Sequence, residues 1–222
     1  MDSDKKINIF IADDHNLVRQ GIVAILKNRG IFTIVGEASD GAQAVRMVKE
    51  LKPDIILMDI SMPLLNGLEA TYQIKRDMPE AKILILTQYE NEEYIMQIIK
   101  AGASGYVLKS SVSDDLVSGI MALEKGGRFF SPSISKLILD GYINKIKGQE
   151  TKKESPELTH REREVMQLLA EGETNQKVAV KLYISVRTVE FHRANIMHKL
   201  NLHDMAGLVK YALQKGIIQL NT

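Results

Sequence analysis

Three aspartates, a threonine and a lysine (Asp13, Asp14, Asp59, Thr87 and Lys109) stand at the carboxyl ends of short apolar runs in the first half of this 222-residue chain. Brought together, three carboxylates repel one another unless a hard cation holds them. Mg²⁺ takes oxygen ligands of this kind in octahedral geometry while keeping some waters, so Mg²⁺ is the implied metal. A lysine and a hydroxyl beside it complete a cradle for a phosphoryl group, with Lys109 as point charge, Thr87 as donor and Asp59 as covalent nucleophile. Each residue alone has a plainer reading: Asp14 as a helix cap, Thr87 as a turn residue, Lys109 as a surface charge. Their conjunction at four strand ends is what points to chemistry.

The elements that position these groups are legible in the periodicity. Apolar runs at 7–12, 32–35, 55–58, 83–86 and 105–108 lack period-2 alternation and are rich in Ile, Leu and Val, as buried strands are. Helical patterns lie between and after them at about 15–29, 41–50, 66–77, 91–100 and 112–125. This alternation predicts an α/β domain over 7–125: a five-stranded parallel sheet covered on both faces, with right-handed crossovers. Ligands of such sheets sit at the carboxyl ends of the strands.

No comparable strand follows Gly126-Gly127. Residues 126–157 read as a linker: an amphipathic helix carrying Ile134, Leu137, Ile138, Tyr142 and Ile143, then the polar stretch 148–156. From Leu158 to 222 the pattern is all helical. Thr159 with Glu162 forms a capping signal for a helix that Gly172 ends, and Thr174, Ser185 and Asp204 cap three more.

Composition narrows the function classes. Apolar residues make up 45% and charged residues 26%, as in a globular protein. The absence of cysteine removes disulfides, thiolate nucleophiles and thiolate zinc sites. Neither a secretory signal nor a run of about 20 apolar residues is present, so a cytoplasmic protein without a membrane partner is expected. Residues 1–128 carry 15 Lys and Arg against 18 Asp and Glu, a net of −3, whereas residues 158–222 carry 9 against 6, a net of +3. This asymmetry suggests partners of different charge.

Residues 7–125 resemble the receiver domain of bacterial two-component response regulators. The matching segments are A-D-D-H after the first strand, M-D-I-S-M-P-L-L-N-G around Asp59, L-T-Q-Y at Thr87 and G-A-S-G-Y-V-L-K at Lys109. The resemblance implies a flavodoxin-like strand order 2-1-3-4-5 and phosphoryl transfer from a sensor histidine kinase to Asp59. It also implies Mg²⁺ held by Asp14 and Asp59, with Asp13 acting through water and the Ser61 backbone carbonyl as a further ligand. Met62-Pro63 and Gly67 would shape the loop beside the acceptor. Thr87 would act with Tyr106, an aromatic that swings inward on phosphorylation, although Tyr106 equally fits an amphipathic rim position. Ser110-Ser111 follows the lysine where many relatives have Asp or Pro.

The helix after Ser185 has the faces that a DNA reader needs. Projected at 100° per residue, Val189, Ile196 and Leu200 lie on the packed side, and Arg187, Glu190, Phe191, Ala194 and His198 on the far side. A third strip, Thr188, His192, Asn195 and Lys199, suits phosphate oxygens. Glu190 can accept from a cytosine amino group and Phe191 can touch a thymine methyl; a phenylalanine exposed there equally suits an interdomain or dimer contact. Residues 158–200 resemble the LuxR-type helix-turn-helix, and the two halves together resemble a NarL/FixJ-type response regulator. In that family the positions of Glu190, Phe191 and Ala194 read bases and the last helix dimerises on DNA. A homodimer when phosphorylated, bound to double-stranded DNA, is therefore expected.

Two other classes are weighed. A phosphatase of the haloacid dehalogenase type wants an acid two residues after the nucleophile, where this chain has Ser61. A scaffold whose receiver is never phosphorylated is at odds with the intact set of five groups. The leading expectation is a DNA-binding regulator, whose only catalysis is its own phosphoryl transfer and autodephosphorylation.

Overall fold

The computed structural model describes residues 6–88, 92–146 and 158–218. The sheet domain runs β1 (Ile7–Ala12), α1 (Asn16–Lys27), β2 (Phe32–Ala38), α2 (Gly41–Leu51), β3 (Ile55–Asp59), α3 (Gly67–Asp77), β4 (Ile83–Thr87), α4 (Glu92–Lys100), β5 (Gly105–Leu108) and α5 (Val112–Glu124). Every strand pair is parallel. Successive side chains of a strand point to opposite faces, and both faces are covered. Phe10, Ile56, Met58 and Ile85 pack into one apolar cluster, and Ile9, Ile11, Leu57, Leu84 and Leu86 into another. This is why the strands read as continuous apolar runs.

Among the described residues the sheet has six strands, not five, in the order β2-β1-β3-β4-β5-β6. The sixth, β6 (Phe129–Phe130), pairs with Gly105 and Tyr106 of β5. Two residues are too short to leave a periodic signal. The edge accepts them because Gly105 has no side chain: a Cβ there would lie 2.7 Å from the Phe129 carbonyl oxygen.

The expected linker helix is α6 (Pro132–Ile146), and its start belongs to the sheet domain. Ile134 is fully buried in the first cluster, with Leu137 and Ile138 packed against it. The polar stretch 148–156 lies outside the described residues.

The helical domain comprises α7 (His160–Ala170), α8 (Asn175–Leu182), α9 (Val186–Lys199) and α10 (Met205–Gln214). All four expected caps are formed. Thr159, Thr174, Ser185 and Asp204 accept from the backbone N–H groups of Glu162, Lys177, Thr188 and Gly207, and Glu162 returns a bond to the Thr159 N–H. Such a bond satisfies one of the donors left unpaired at a helix start. Gly172, at φ +88°, closes α7. Val165, Leu168, Val178, Val189, Ile196, Leu208 and Ala212 form this domain's own core.

Candidate functional site

Parallel register aligns the carboxyl ends of the strands on one edge. Ala12 pairs with Met58, Asp59 with Leu86 and Thr87 with Leu108, so the next residues, Asp13 and Lys109, emerge beside Asp59 and Thr87. Asp13, Asp59, Ser61 and Thr87 are buried, and Asp14 is half-buried. Lys109 bridges two of the carboxylates, its Nζ 2.7 Å from Asp13 Oδ2 and 2.9 Å from Asp59 Oδ2. The other Asp59 oxygen accepts from the Ile60 N–H at 2.8 Å.

One ammonium does not offset three carboxylates. Burial pushes the Asp59 carboxyl up to about 6, with Asp13 and Asp14 adding to the rise and Lys109 opposing it. Burial alone would lower the Lys109 pKa, but Asp59 and Asp13 outweigh that and raise it. Asp13, Asp14, His15 and Asp59 each bring one candidate ligand atom to within 4.8 Å of the others. Hard oxygen donors in a buried, net-negative corner fit a small divalent cation.

Two further residues, neither assigned a role from the sequence, take part in this corner. His15 Nδ1 lies 2.8 Å from Asp14 Oδ1. Arg19 donates to the Asp13 carbonyl at 2.6 Å and to Glu37 at 3.3 Å, fixing the turn out of β1. Tyr106 is fully buried in the core, so it already occupies an inward position. Gly67 lets α3 start against the end of β3, where a Cβ would lie 2.0 Å from the Asp59 carbonyl oxygen.

The reader-helix projection agrees with the observed burial. Arg187, Glu190, Phe191, Ala194 and His198 are exposed, Phe191 at 63%, while Val189 and Ile196 are buried. Thr188, His192, Asn195 and Lys199 are all half-buried. Lys199 is engaged inside its own domain, its Nζ 2.7 Å from Glu162 Oε2 on α7.

The two domains meet through polar residues for which the sequence offered no sign. Glu69 on α3, only 1% exposed, is ion-paired to Arg163 and lies 2.8 Å from His160 Nδ1. His160 stacks on Tyr72 with ring centroids 3.4 Å apart, and Gln73 donates to Glu164 at 2.9 Å. Gln167, 0% exposed, accepts from the Asn66 N–H at 3.0 Å and donates to the Met62 carbonyl at 2.8 Å.

The chain matches the response regulator receiver domain family over residues 9–121 and the luxR family of bacterial regulatory proteins over residues 156–212. It is 38% identical to the oxygen regulatory protein NreC of Staphylococcus carnosus (strain TM300), over 96% of this chain and 99% of that protein. Among solved structures, the RcsB response regulator of Salmonella typhimurium superposes with a TM-score of 0.67 at 28% identity, covering 94% of this chain and 97% of that one. A structure of two RcsB dimers bound to two parallel DNAs matches with a TM-score of 0.57 at 28% identity, over 93% of this chain and 98% of the other. With both domains matched in order and along nearly its whole length, the chain belongs to the response regulators, as a NarL/FixJ-type transcriptional regulator with a receiver domain and a LuxR-type DNA-binding domain.

Proposed function

We propose that a sensor histidine kinase phosphorylates Asp59 and that the aspartyl phosphate controls dimerisation and DNA occupancy by residues 158–222. The observation that carries this reading is the buried Asp59 carboxylate, bridged to Asp13 by Lys109 at the edge where Asp14 and Thr87 also emerge.

Asp14, Asp59 and the Ser61 carbonyl would hold Mg²⁺, with Asp13 acting through water. The ion would supply positive charge to the phosphoryl oxygens. An Asp59 carboxylate oxygen attacks phosphorus, the bond from phosphorus to the donor imidazole nitrogen breaks, and that nitrogen keeps the electron pair. Lys109 then turns from the Asp59 carboxylate to the new phosphoryl oxygens, and the Thr87 hydroxyl donates to them. Thr87 and Tyr106 relay the change to the α4–β5 face. Water attack on the same phosphorus returns free Asp59, the receiver's own autodephosphorylation.

On DNA, Glu190, Phe191 and Ala194 face base edges with Arg187 on the same side of the helix, and Thr188, His192 and Asn195 face the backbone. Lys199 joins them by leaving Glu162. A double-stranded DNA target and a kinase partner support the cytoplasm as the protein's location. Among the described residues no helix is long and apolar enough to cross a membrane.

Incubation with acetyl phosphate and Mg²⁺, followed by intact mass spectrometry, should add one phosphoryl group to the wild type and none to Asp59→Ala. Gel-shift titration should then show tighter DNA binding by the phosphorylated wild type than by Asp59→Ala. Equal affinities would count against the switch.

A further inference from the structure

The loop between Asp59 and Gly67 is tightly wound. Gly67 N–H donates to the Ile60 carbonyl at 2.7 Å, Leu65 N–H to the Pro63 carbonyl at 2.8 Å, and Gly41 N–H to the Leu65 carbonyl at 3.1 Å. Leu64 sits at φ +66°, a left-handed conformation that costs a non-glycine residue about 1 kcal/mol and persists only where the surroundings impose it. Part of that imposition comes from the other domain. The Gln167 side chain spans the loop, taking the Asn66 N–H and giving to the Met62 carbonyl. Gln167 Nε2 also donates to the Glu171 carboxylate at 2.8 Å. Two backbone groups of the acceptor loop, the Met62 carbonyl and the Asn66 N–H, are thus bound by one side chain of α7.

We propose that Gln167, a residue of the DNA-binding domain, is a positioning residue of the receiver's metal and phosphoryl site. It acts by fixing the loop that presents the Ser61 carbonyl. This rests on the reading of Asp59 and its neighbours as a Mg²⁺ and phosphoryl site. Gln167 touches no reacting atom. It holds Met62 and Asn66, and between Asp59 and Met62 only two residues intervene, Ile60 and Ser61.

Linkage makes the effect reciprocal: if docked α7 improves Mg²⁺ binding, Mg²⁺ strengthens docking of α7 by the same factor. DNA and a partner protomer that pull α7 away then weaken the metal site.

The test uses the full chain. Calorimetric Mg²⁺ titration and the rate of phosphorylation by acetyl phosphate are measured for wild type, Gln167→Met, Gln167→Glu and Gln73→Ala. Met keeps the volume and removes both hydrogen bonds to the loop; Glu keeps the acceptor for Asn66 and puts an oxygen against the Met62 carbonyl. Gln73 bridges the same interface without touching the loop. The expected result is Mg²⁺ binding weakened about fivefold or more in both Gln167 variants, with slower phosphorylation, and no change in Gln73→Ala.

Amide hydrogen exchange of α7 gives a second readout. Mg²⁺ should slow it in the wild type and not in Gln167→Met. This arm stands even if one Gln167 variant fails to fold. Wild-type affinity in both Gln167 variants, with wild-type exchange, overturns the positioning role alone. Equal weakening in Gln73→Ala also overturns it, since docking in general would then be the cause. A wild type that neither binds Mg²⁺ nor takes a phosphoryl group overturns the underlying reading, and the positioning role with it.

Discussion

Glu69, the third residue of α3, is ion-paired to Arg163 of α7, 94 residues further along the chain, with both side chains largely withdrawn from water. Removing one member of such a pair leaves the other buried without its partner, at a cost of about 3–5 kcal/mol when burial is complete. Arg163 keeps some exposure, so Glu69→Ala should lie at or below the lower end of that range. A double-mutant cycle with Arg163→Met, read by denaturant unfolding, should give a coupling energy of about 1–3 kcal/mol. A cycle that sums to zero would mean the pair does not bind the domains together.

The Asp59 carboxyl sets a pH dependence in the absence of divalent ions. Its folded-state value of about 6 lies above the ordinary 3.8, so the folded state holds this proton more tightly than the unfolded state. The stabilisation is fully present below about pH 4 and is lost as pH rises through about 6. Asp59→Asn removes the buried charge and should stabilise the protein at pH 7.5 in EDTA, by up to on the order of 3 kcal/mol at roughly 1.4 kcal/mol per pH unit. Paired melts at pH 5 and pH 7.5 check this, since the gain should shrink at the lower pH.

Mg²⁺ and protons compete for the same carboxylate oxygens. Mg²⁺ should therefore raise the melting temperature at pH 7.5, and the increment should fade as pH falls through about 6, where Asp59 protonates. An increment independent of pH over that interval would place the ion elsewhere.

Two glycines should respond in opposite directions to alanine. At Gly67 the new methyl meets the Asp59 carbonyl at 2.0 Å, and overpacking of this kind costs about 1–3 kcal/mol or more. At Gly21, inside α1, nothing lies within 4 Å, and alanine should stabilise by about 0.5–1 kcal/mol through helix propensity. Chemical denaturation of the two variants checks both signs.

Ser185 starts the reader helix by accepting from the Thr188 N–H at 3.0 Å. Ser185→Ala should cost about 1 kcal/mol of stability and weaken DNA binding without altering sequence preference. Glu190→Ala should instead change preference at one base position, by about 1–3 kcal/mol of discrimination. Binding-site selection on random DNA separates the two outcomes.

Much of this molecule is local, and local order leaves a trace in the chain. The apolar runs became β1 and β3–β5 because both sheet faces are buried. The caps at Thr159, Thr174, Ser185 and Asp204 formed where a short polar side chain precedes a periodic helix. Asp13, Asp14, Asp59, Thr87 and Lys109 were recognisable as a set because strand–helix alternation by itself directs every strand end to one edge. The reader face followed from helical geometry alone.

The rest was decided by pairings between distant parts of the chain. A two-residue strand, β6, has no period to detect and exists because β5 offers it an edge beside Gly105. Lys199 looks like a phosphate contact on its own helix and is taken up by Glu162 on another. Gln167 reads as one more polar residue of α7; only when the domains dock does its amide meet the backbone of the acceptor loop, 101 and 105 residues back. Hydrogen-bonding capacity is written in a side chain, but which donor and acceptor it satisfies is set by the packing that excludes water around it.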